Sequence, residues 1–521
     1  MKIGLLIETL RHLRLTQVVH QFWHRLYRPK LGSETFAMAN QEAALFTEPI
    51  LKPCCYDSQG RLSFLNITDG FRDWNMDDHG ALWAYNLNYM DWLEQEGIST
   101  DECLRWIDRF IDELPVNRVG QDPYPIALRV INWAKFFSKH PECRSKKRLD
   151  SMYAQTRLLE RKLEYHLLGN HLLEDAYSLF IAAIFFADQR LYRKAEKLLL
   201  RQLKEQTLPD GAHYEQSAMY HCIMLDRLLD CINFAKGAPH SSPLAPYLSS
   251  VISRLLFRAS QMLGHLASII YKDGSIPLFN DSALGIAPTS EQIFDYARRL
   301  GLSWETIPLR ECGYRRFADS RIEATVDVGN IMAAYQPGHS HADSFSYELR
   351  IDGQPFIVDT GISTYNKNER RQYERGTAAH NTVTVCGQDS SEVWGGFRIG
   401  RRAIVNILKD EGNELEARHN GFGRNTIHQR RLFLDSTGFR VEDRVPGPAI
   451  SYIHLCPGLI PEIVSEKDGL IKVDHITIKV ENAQQIEILQ NAVSTEYNRL
   501  QPCRVLALHF TKSLSYILMS P

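Results

Sequence analysis

The sequence predicts an α+β protein in two parts, a helical N-terminal region followed by an antiparallel β-sandwich. Three observations carry this expectation. From about residue 34 to residue 300 apolar residues recur at helical spacing, and strand-like runs are few. Around Arg315 the pattern changes to alternating and β-branched runs separated by Asp-Gly and Gly-rich turns. The length of 521 residues exceeds what one hydrophobic core ordinarily organises, so two domains are expected. The change of pattern puts their boundary between Cys312 and Arg321, giving domains 1–315 and 316–521.

In chain order, Leu82, Tyr85, Leu87, Tyr89 and Trp92 form a broad apolar stripe predicting a helix from Ala81 to Glu96. Ser99 with Glu102 has the capping-box pattern that starts the next helix. Pro125 to Phe137 follows, with Ile126, Val130, Trp133 and Phe137 spaced for one face. Further helices are expected over Ser151–Leu168, His171–Ala187, Leu191–Gln206, His213–Phe234 and Pro243–Leu263, and after the cap Thr289 with Gln292. Short polar turns between them suggest antiparallel pairs. Strands are then expected over Ala324–Ala333, Phe345–Ile351, Ile404–Leu408, Thr426–Leu434, Phe439–Val445, Ser451–Leu455, Ile471–Val480, Ile486–Ile488 and Val505–Phe510.

The composition is that of a soluble globular chain, 44% hydrophobic and 23% charged. With a formal charge of −2 there is no global basic field, so nucleic acid is not an expected partner and a polyanion needs a local cleft. The ten cysteines show no C-x-x-C pair, and reduced, mostly buried thiols are expected. Glu8, Arg11, His12 and Arg14 interrupt the apolar start before a signal-peptide core forms, and no stretch is long and apolar enough to span a bilayer. The expected location is therefore inside the cell. Leu5 to Tyr27, with Arg11, Arg14, Arg25 and Arg28 around apolar residues, reads either as a membrane-surface helix or as an amphipathic helix packed on its own domain.

Most of the chemistry gathers between Gly338 and Thr382. Read as a strand, the opening run places His339, His341 and Asp343 on one face. Asp352-Gly353 between apolar runs signals a hairpin that returns Asp359 toward the histidines, and His380 follows. Two imidazoles and a carboxylate make a divalent-metal set of nitrogen and oxygen ligands, zinc being its commonest occupant. The plain alternative is surface histidines and a turn aspartate.

The run Gly338-His339-Ser340-His341-Ala342-Asp343, then Val358-Asp359-Thr360-Gly361, then Arg375-Gly376-Thr377-Ala378-Ala379-His380-Asn381-Thr382, resembles the C-terminal domain of the heparinase II/III polysaccharide lyases. In the helical half, Asn170-His171-Leu172-Leu173-Glu174 and Asp210-Gly211-Ala212-His213-Tyr214-Glu215-Gln216-Ser217-Ala218-Met219-Tyr220-His221 resemble that family's other motifs. The resemblance implies that the helices form an incomplete (α/α) toroid and that the chain is a lyase cleaving a uronic-acid polymer by β-elimination. It implies His341, Asp359 and His380 as ligands of a structural divalent metal, zinc or else calcium, with His339 pointing into the interdomain cleft. It maps the proton-transferring tyrosine onto Tyr220, with Tyr214 as rival, and the neutralisation of the substrate carboxylate onto Asn170 and His171, aided by a protonated Glu174.

On residue chemistry alone, Asn170 is an N-cap and Glu174 suits the positive end of a helix, but His171 is left unexplained. The Tyr220-His221 pair read by itself is packing. Tyr124, Arg129 and Trp133 resemble inner toroid positions that contact sugar, although Trp133 in a helical stripe also reads as core. Arg371, Tyr373 and Arg375 read as contacts for carboxylates or sulfates, or as an exposed basic edge. Asp281 matches a family segment and also reads as a turn residue, and Trp394 sits in a loop suited to covering a cleft. Thr9-Leu10-Arg11-His12-Leu13-Arg14 looks like relatives linked to bacterial surface-polysaccharide production, which favours such a polymer as substrate. Two other classes compete. A hydrolase would recruit Asp210 and Glu215, and a glycan-binding assembly protein would keep the cleft without needing the proton-transfer residues.

Overall fold

A computed structural model of the chain describes residues 3–36, 45–423 and 425–519. Several helices begin where their caps dictate. Ser99 accepts the Glu102 amide ahead of Thr100–Glu113, and Thr289 with Gln292 completes a reciprocal capping box ahead of Ser290–Arg299. The expected Ala81–Glu96 helix stops at Tyr89, because Met90 turns left-handed, and continues as a short 3-10 turn over Asp91–Glu94.

The helices form an incomplete toroid followed by a β-sandwich. Gly169–Phe185 is buried along almost its whole length and packs against Pro123–Lys139, Gln189–Gln206 and Ala218–Gly237. A helix apolar all round belongs in the interior. Each large side chain so buried contributes about 1.5–3 kcal/mol.

Two expected helix starts move, and both changes place site residues. The 213–234 helix begins at Ala218, because Ser217 caps it and Gln216 sits at φ 59°, so Glu215 lies in a turn rather than on a helix face. The 171–187 helix begins at Gly169, making Asn170 its second residue rather than its cap. A small hairpin, Arg61–Phe64 with Ile67–Gly70, also appears within the helical half. Its turn docks on the second domain, the Asn66 side chain donating to the Tyr497 carbonyl at 2.9 Å.

Tyr314–Ala318, Ile322–Asp327, Tyr347–Ile351 and Gln354–Ile357 form a four-stranded antiparallel sheet. It opens at Tyr314, inside the window between Cys312 and Arg321 where the change of pattern is expected. A larger antiparallel sheet is built around Gly438–His454 paired with Arg499–Met519. Residues from both sheets share one apolar core, including Leu349, Phe356, Leu432, Phe439 and Leu518. The runs 439–445 and 451–455 join into one strand with a register shift, whereas 471–480 splits into Leu470–Val473 and Ile476–Glu481. The Asp352-Gly353 hairpin forms with both residues at positive φ. His339 to Ser346, expected as a strand, is instead loop, so its histidines are held by side-chain contacts rather than by a pleat.

Candidate active site

A cleft of about 1170 Å³ is lined by both domains. Asn170, His171, Tyr220, His339, Tyr365 and Trp394 all reach it. Small-molecule pockets run to roughly 300–1,000 Å³, so this cleft has room for a chain-like ligand. Lys52, Arg227, Arg398 and Arg402 line it against Asp91 and Asp226, a local basic excess that the nearly neutral chain conceals.

One wall is the start of the Gly169–Phe185 helix. Leu168 and Gly169 both adopt positive φ, turning the chain sharply into the helix. A Cβ on Gly169 would lie 2.5 Å from Glu215 Oε1. That contact matters because Glu215 accepts the Asn170 backbone amide at 3.0 Å and its side-chain amide at 2.8 Å. A carboxylate on the free amides of a helix start is electrostatically favoured, and here it aims the Asn170 side chain. His171 is half-buried beside Asn170, and its Nδ1 lies 3.1 Å from Glu164. Burial pulls its pKa down, but the Glu164 carboxylate overcomes this and the net shift is upward. The edge of Tyr124 packs on His171 with ring centroids 4.8 Å apart.

The opposite wall starts from Ser217. Its hydroxyl donates to the Asp281 carbonyl at 2.7 Å and accepts the Tyr220 amide at 3.2 Å, so one cap fixes both residues. The Tyr220 ring packs against His339 at a tilt, with centroids 4.1 Å apart. Its hydroxyl is 3.1 Å from the Tyr365 hydroxyl, which is 3.3 Å from His339 Nδ1. Burial pushes the Tyr220 pKa upward, so the unliganded site holds a phenol able to donate a proton, not the ready phenolate that a tyrosine base requires. Tyr214 points elsewhere, its hydroxyl meeting Tyr335 at 2.9 Å.

Asp281 is the hub of the site. One carboxylate oxygen meets His339 Nδ1 at 2.8 Å, the other meets His341 Nε2 at 2.7 Å, and Arg371 binds both oxygens. Burial pushes this carboxyl up, yet the Arg371 charge and the histidine hydrogen bonds hold it well below the usual carboxylate range. With the carboxylate on Nδ1, the His339 Nε2 lone pair is left facing Asn170 Nδ2 at 3.2 Å. Asp281 comes from the helical half and its three partners from the β half, so the dyad exists only when the domains are docked.

The donors expected to bind metal lie behind this dyad. Among the described residues, His341 Nδ1 and His380 Nε2 are buried nitrogens without a hydrogen-bond partner, on rings 5.3 Å apart, and Asp343 Oδ2 is likewise unpaired. Burial lowers His341 to about 3, so its ring is neutral, the form that binds metal. These donors are of the nitrogen and oxygen types that a divalent cation takes, but among the described residues they are not gathered into a three-ligand cluster. Asp359, however, is engaged at 2.8 Å with His380 Nδ1, the position of a carboxylate that orients a ligand histidine. A separate buried group, Asp210, His265 and Cys312, brings three ligand atoms within 4.8 Å of one another. There the Asp210 carboxylate already accepts the amides of Arg310 and Cys312 at 3.1 and 2.8 Å.

Several expected sugar contacts are internal. Arg129 is fully buried and spends its guanidinium on Gln155 and the carbonyls of Asn88 and Gly120. Trp133 is core. Arg375 is buried on the Ser340 carbonyl, which braces the His339–His341 loop from behind. Glu174 is also buried, 3.7 Å from Arg227, and burial raises it to about 7, so its protonated form exists without reaching the cleft. Trp394 does line the cleft, its indole donating to Thr9 at 3.1 Å. The residues that sequence reasoning undervalued are Glu215, Tyr365 and Arg371. Arg371 carried a signal, an arginine close before His380; Tyr365 carried none.

Comparison with known proteins bears on the family and the fold. Residues 138–298 match the heparinase II/III N-terminus and residues 303–515 match the heparinase II/III-like C-terminal domain. A heparin-sulfate lyase of Bacteroides thetaiotaomicron is 24% identical over 355 residues, 58% of this chain and 48% of that protein. One of Pedobacter heparinus is 27% identical over 319 residues, 54% of this chain and 45% of that protein. The aligned stretch thus spans about half the length of these relatives. A crystal structure of heparinase III superposes with a TM-score of 0.65 at 13% identity, covering 99% of this chain and 92% of the other, a likeness of fold. With both halves matched in order and the paired motifs meeting across one cleft, the chain belongs to the heparinase II/III family.

Proposed function

We propose that the protein is a polysaccharide lyase that cleaves a uronic-acid polymer by β-elimination and leaves a 4,5-unsaturated uronate. The observation that carries this reading is the meeting of Asn170, His171, Tyr220 and His339 in one basic cleft. The C5 proton of a uronate is weakly acidic, because its removal adds negative charge beside a carboxylate. Asn170, aimed by Glu215, and His171, whose protonated form Glu164 favours, supply the donors that neutralise that carboxylate as charge develops. A base then takes the C5 proton, the electron pair forms the C4–C5 double bond, and the leaving oxygen collects a proton.

The phenol of Tyr220 is the acid. Where the C5 proton and the leaving oxygen lie on opposite faces of the ring, His339 Nε2 is the base, its tautomer held by Asp281. Where they share a face, Tyr220 serves both steps and must first be ionised against the effect of its burial. A divalent cation, zinc first and calcium second, held by His341 and His380, with Asp359 orienting the His380 ring, would fix the loop that carries His339; its part is structural. The relatives named heparin-sulfate lyases support a glycosaminoglycan-like polymer, and the resemblance of Thr9 to Arg14 to relatives linked to surface-polysaccharide production supports a bacterial surface polysaccharide carrying uronate. Asp210 and Glu215 are taken up by backbone amides and by Asn170, which disfavours the hydrolase alternative.

The test is to incubate the protein with heparan sulfate, chondroitin, alginate and bacterial exopolysaccharides while following the ultraviolet absorbance of the new double bond. Tyr220→Phe is expected to lower the rate by about 10²–10⁴-fold with polymer binding retained. New reducing ends without absorbance would move the assignment to a hydrolase. Polymer binding with neither signal would move it to a glycan-binding protein, and an unaltered Tyr220→Phe rate would remove Tyr220 from the chemistry.

A further inference from the structure

The helix Leu15–Leu26 is packed inside out. The side it turns to the protein is polar: Gln17 is buried and donates to the carbonyls of Leu167 and Tyr335, and the His24 ring stacks on His166 at 4.4 Å. Leu15, Val18, Val19, Phe22, Trp23 and Leu26 form the opposite stripe, at the i, i+3, i+4, i+7, i+8, i+11 spacing of one helix face. That stripe is in solvent, with Leu15 76%, Phe22 62%, Trp23 55% and Leu26 83% exposed. Ile7 and Leu10 of the preceding helix are exposed as well. An amphipathic helix normally buries its apolar face, and a contiguous apolar patch of this kind marks an interaction surface.

We propose that this face docks on an anionic lipid surface. The charge around the stripe selects the occupant. Arg25, Arg28 and Lys30 are exposed and make no ion pair with the described residues, while the segment's one acid among them, Glu8, is paired with Arg11. Trp23 packs beside Tyr27 at the end of the stripe, ring centroids 5.3 Å apart, the amphipathic ring pair favoured at the depth of lipid headgroups. Apolar stripe, flanking arginines and interfacial aromatics together are the composition of a helix lying in the membrane plane. A second copy fits less well, because apposing the same face would bring two sets of unpaired cations together. An anionic sugar polymer would use the arginines but has no counterpart for Leu15, Val19 and Leu26. Val18 and Phe22 also line the cleft, so docking would hold its rim at the membrane surface.

The test is co-sedimentation of the full chain with phosphatidylcholine vesicles, with and without phosphatidylglycerol. Binding to the anionic vesicles alone, weakened by salt, is expected. Leu15→Ser/Val19→Ser/Leu26→Ser and Arg25→Glu/Arg28→Glu are each expected to weaken it on the order of tenfold or more, with an unchanged unfolding temperature. Absence of binding, equal binding to neutral vesicles, or undiminished binding by either variant would overturn the proposal. So would sedimentation showing a dimer that the apolar variant dissociates without any vesicle binding.

Discussion

Glu164 decides the direction in which the His171 pKa moves. Burial alone would discharge the imidazole, and the carboxylate 3.1 Å away reverses the direction. Because the folded-state pKa lies above the ordinary 6.5, the charge and the stability it brings are fully present below that value and are lost as pH rises through the raised one. Glu164→Gln therefore moves the alkaline limb of kcat/KM to lower pH and leaves the acid limb in place. An unshifted alkaline limb would mean that another group sets it. Asp281 makes the complementary point. A carboxylate that alone reads as a turn residue becomes the group that fixes two histidine tautomers once Arg371 compensates its buried charge. Arg129 and Arg375 carry the same guanidinium and do structural work, because their donors meet backbone carbonyls instead of open space.

At the level of elements, the site depends on how two helices begin. The 169–185 helix starts on a left-handed Gly169 pressed against Glu215, and the 218–237 helix starts on the Ser217 cap. Gly169→Ala strains a φ of 60° and drives a methyl into Glu215. The expected cost is about 1–3 kcal/mol, seen as a lower denaturation midpoint. Because Glu215 aims Asn170, kcat is expected to fall more than the lost stability accounts for under conditions where the variant is fully folded. A variant equal to wild type in both measurements would show that Glu215 has room to retreat. Start positions are where sequence reading went astray, since Ser217 as a cap was hidden behind Asp210-Gly211, a stronger turn signal a few residues earlier.

Over the whole molecule, the two domains are joined by contacts that titrate. Glu348, on a strand of the β half, accepts the Tyr271 hydroxyl and the Leu278 amide of the helical half, each at 2.9 Å. Burial raises it from 4.5 to about 7. The folded state therefore holds a proton that the unfolded chain has released, and stability falls as pH rises between those values. Glu348→Gln removes this dependence. Relative to wild type, the variant should gain about 2–4 kcal/mol of unfolding free energy between about pH 4.5 and about pH 8, measured by denaturant titration. A constant difference across that range would show that Glu348 is ionised throughout.

Helix and strand content, the change of pattern near residue 315 and the Asp352-Gly353 hairpin were legible in the chain itself, whereas the segments around Asn170, Tyr220 and His339 stood out only through their resemblance to a family. Spacing and turn chemistry act over a few residues, so a local reading captures them. What the tertiary structure decided is which groups meet. Asp281 lies 58 residues from His339, 60 from His341 and 90 from Arg371, and Asn170 lies 169 from His339. No periodicity encodes those distances. The same holds for Trp133 and for the Leu15–Leu26 helix: the apolar stripe is visible in both sequences, but only packing determines that one is sealed in the core and the other is turned toward solvent.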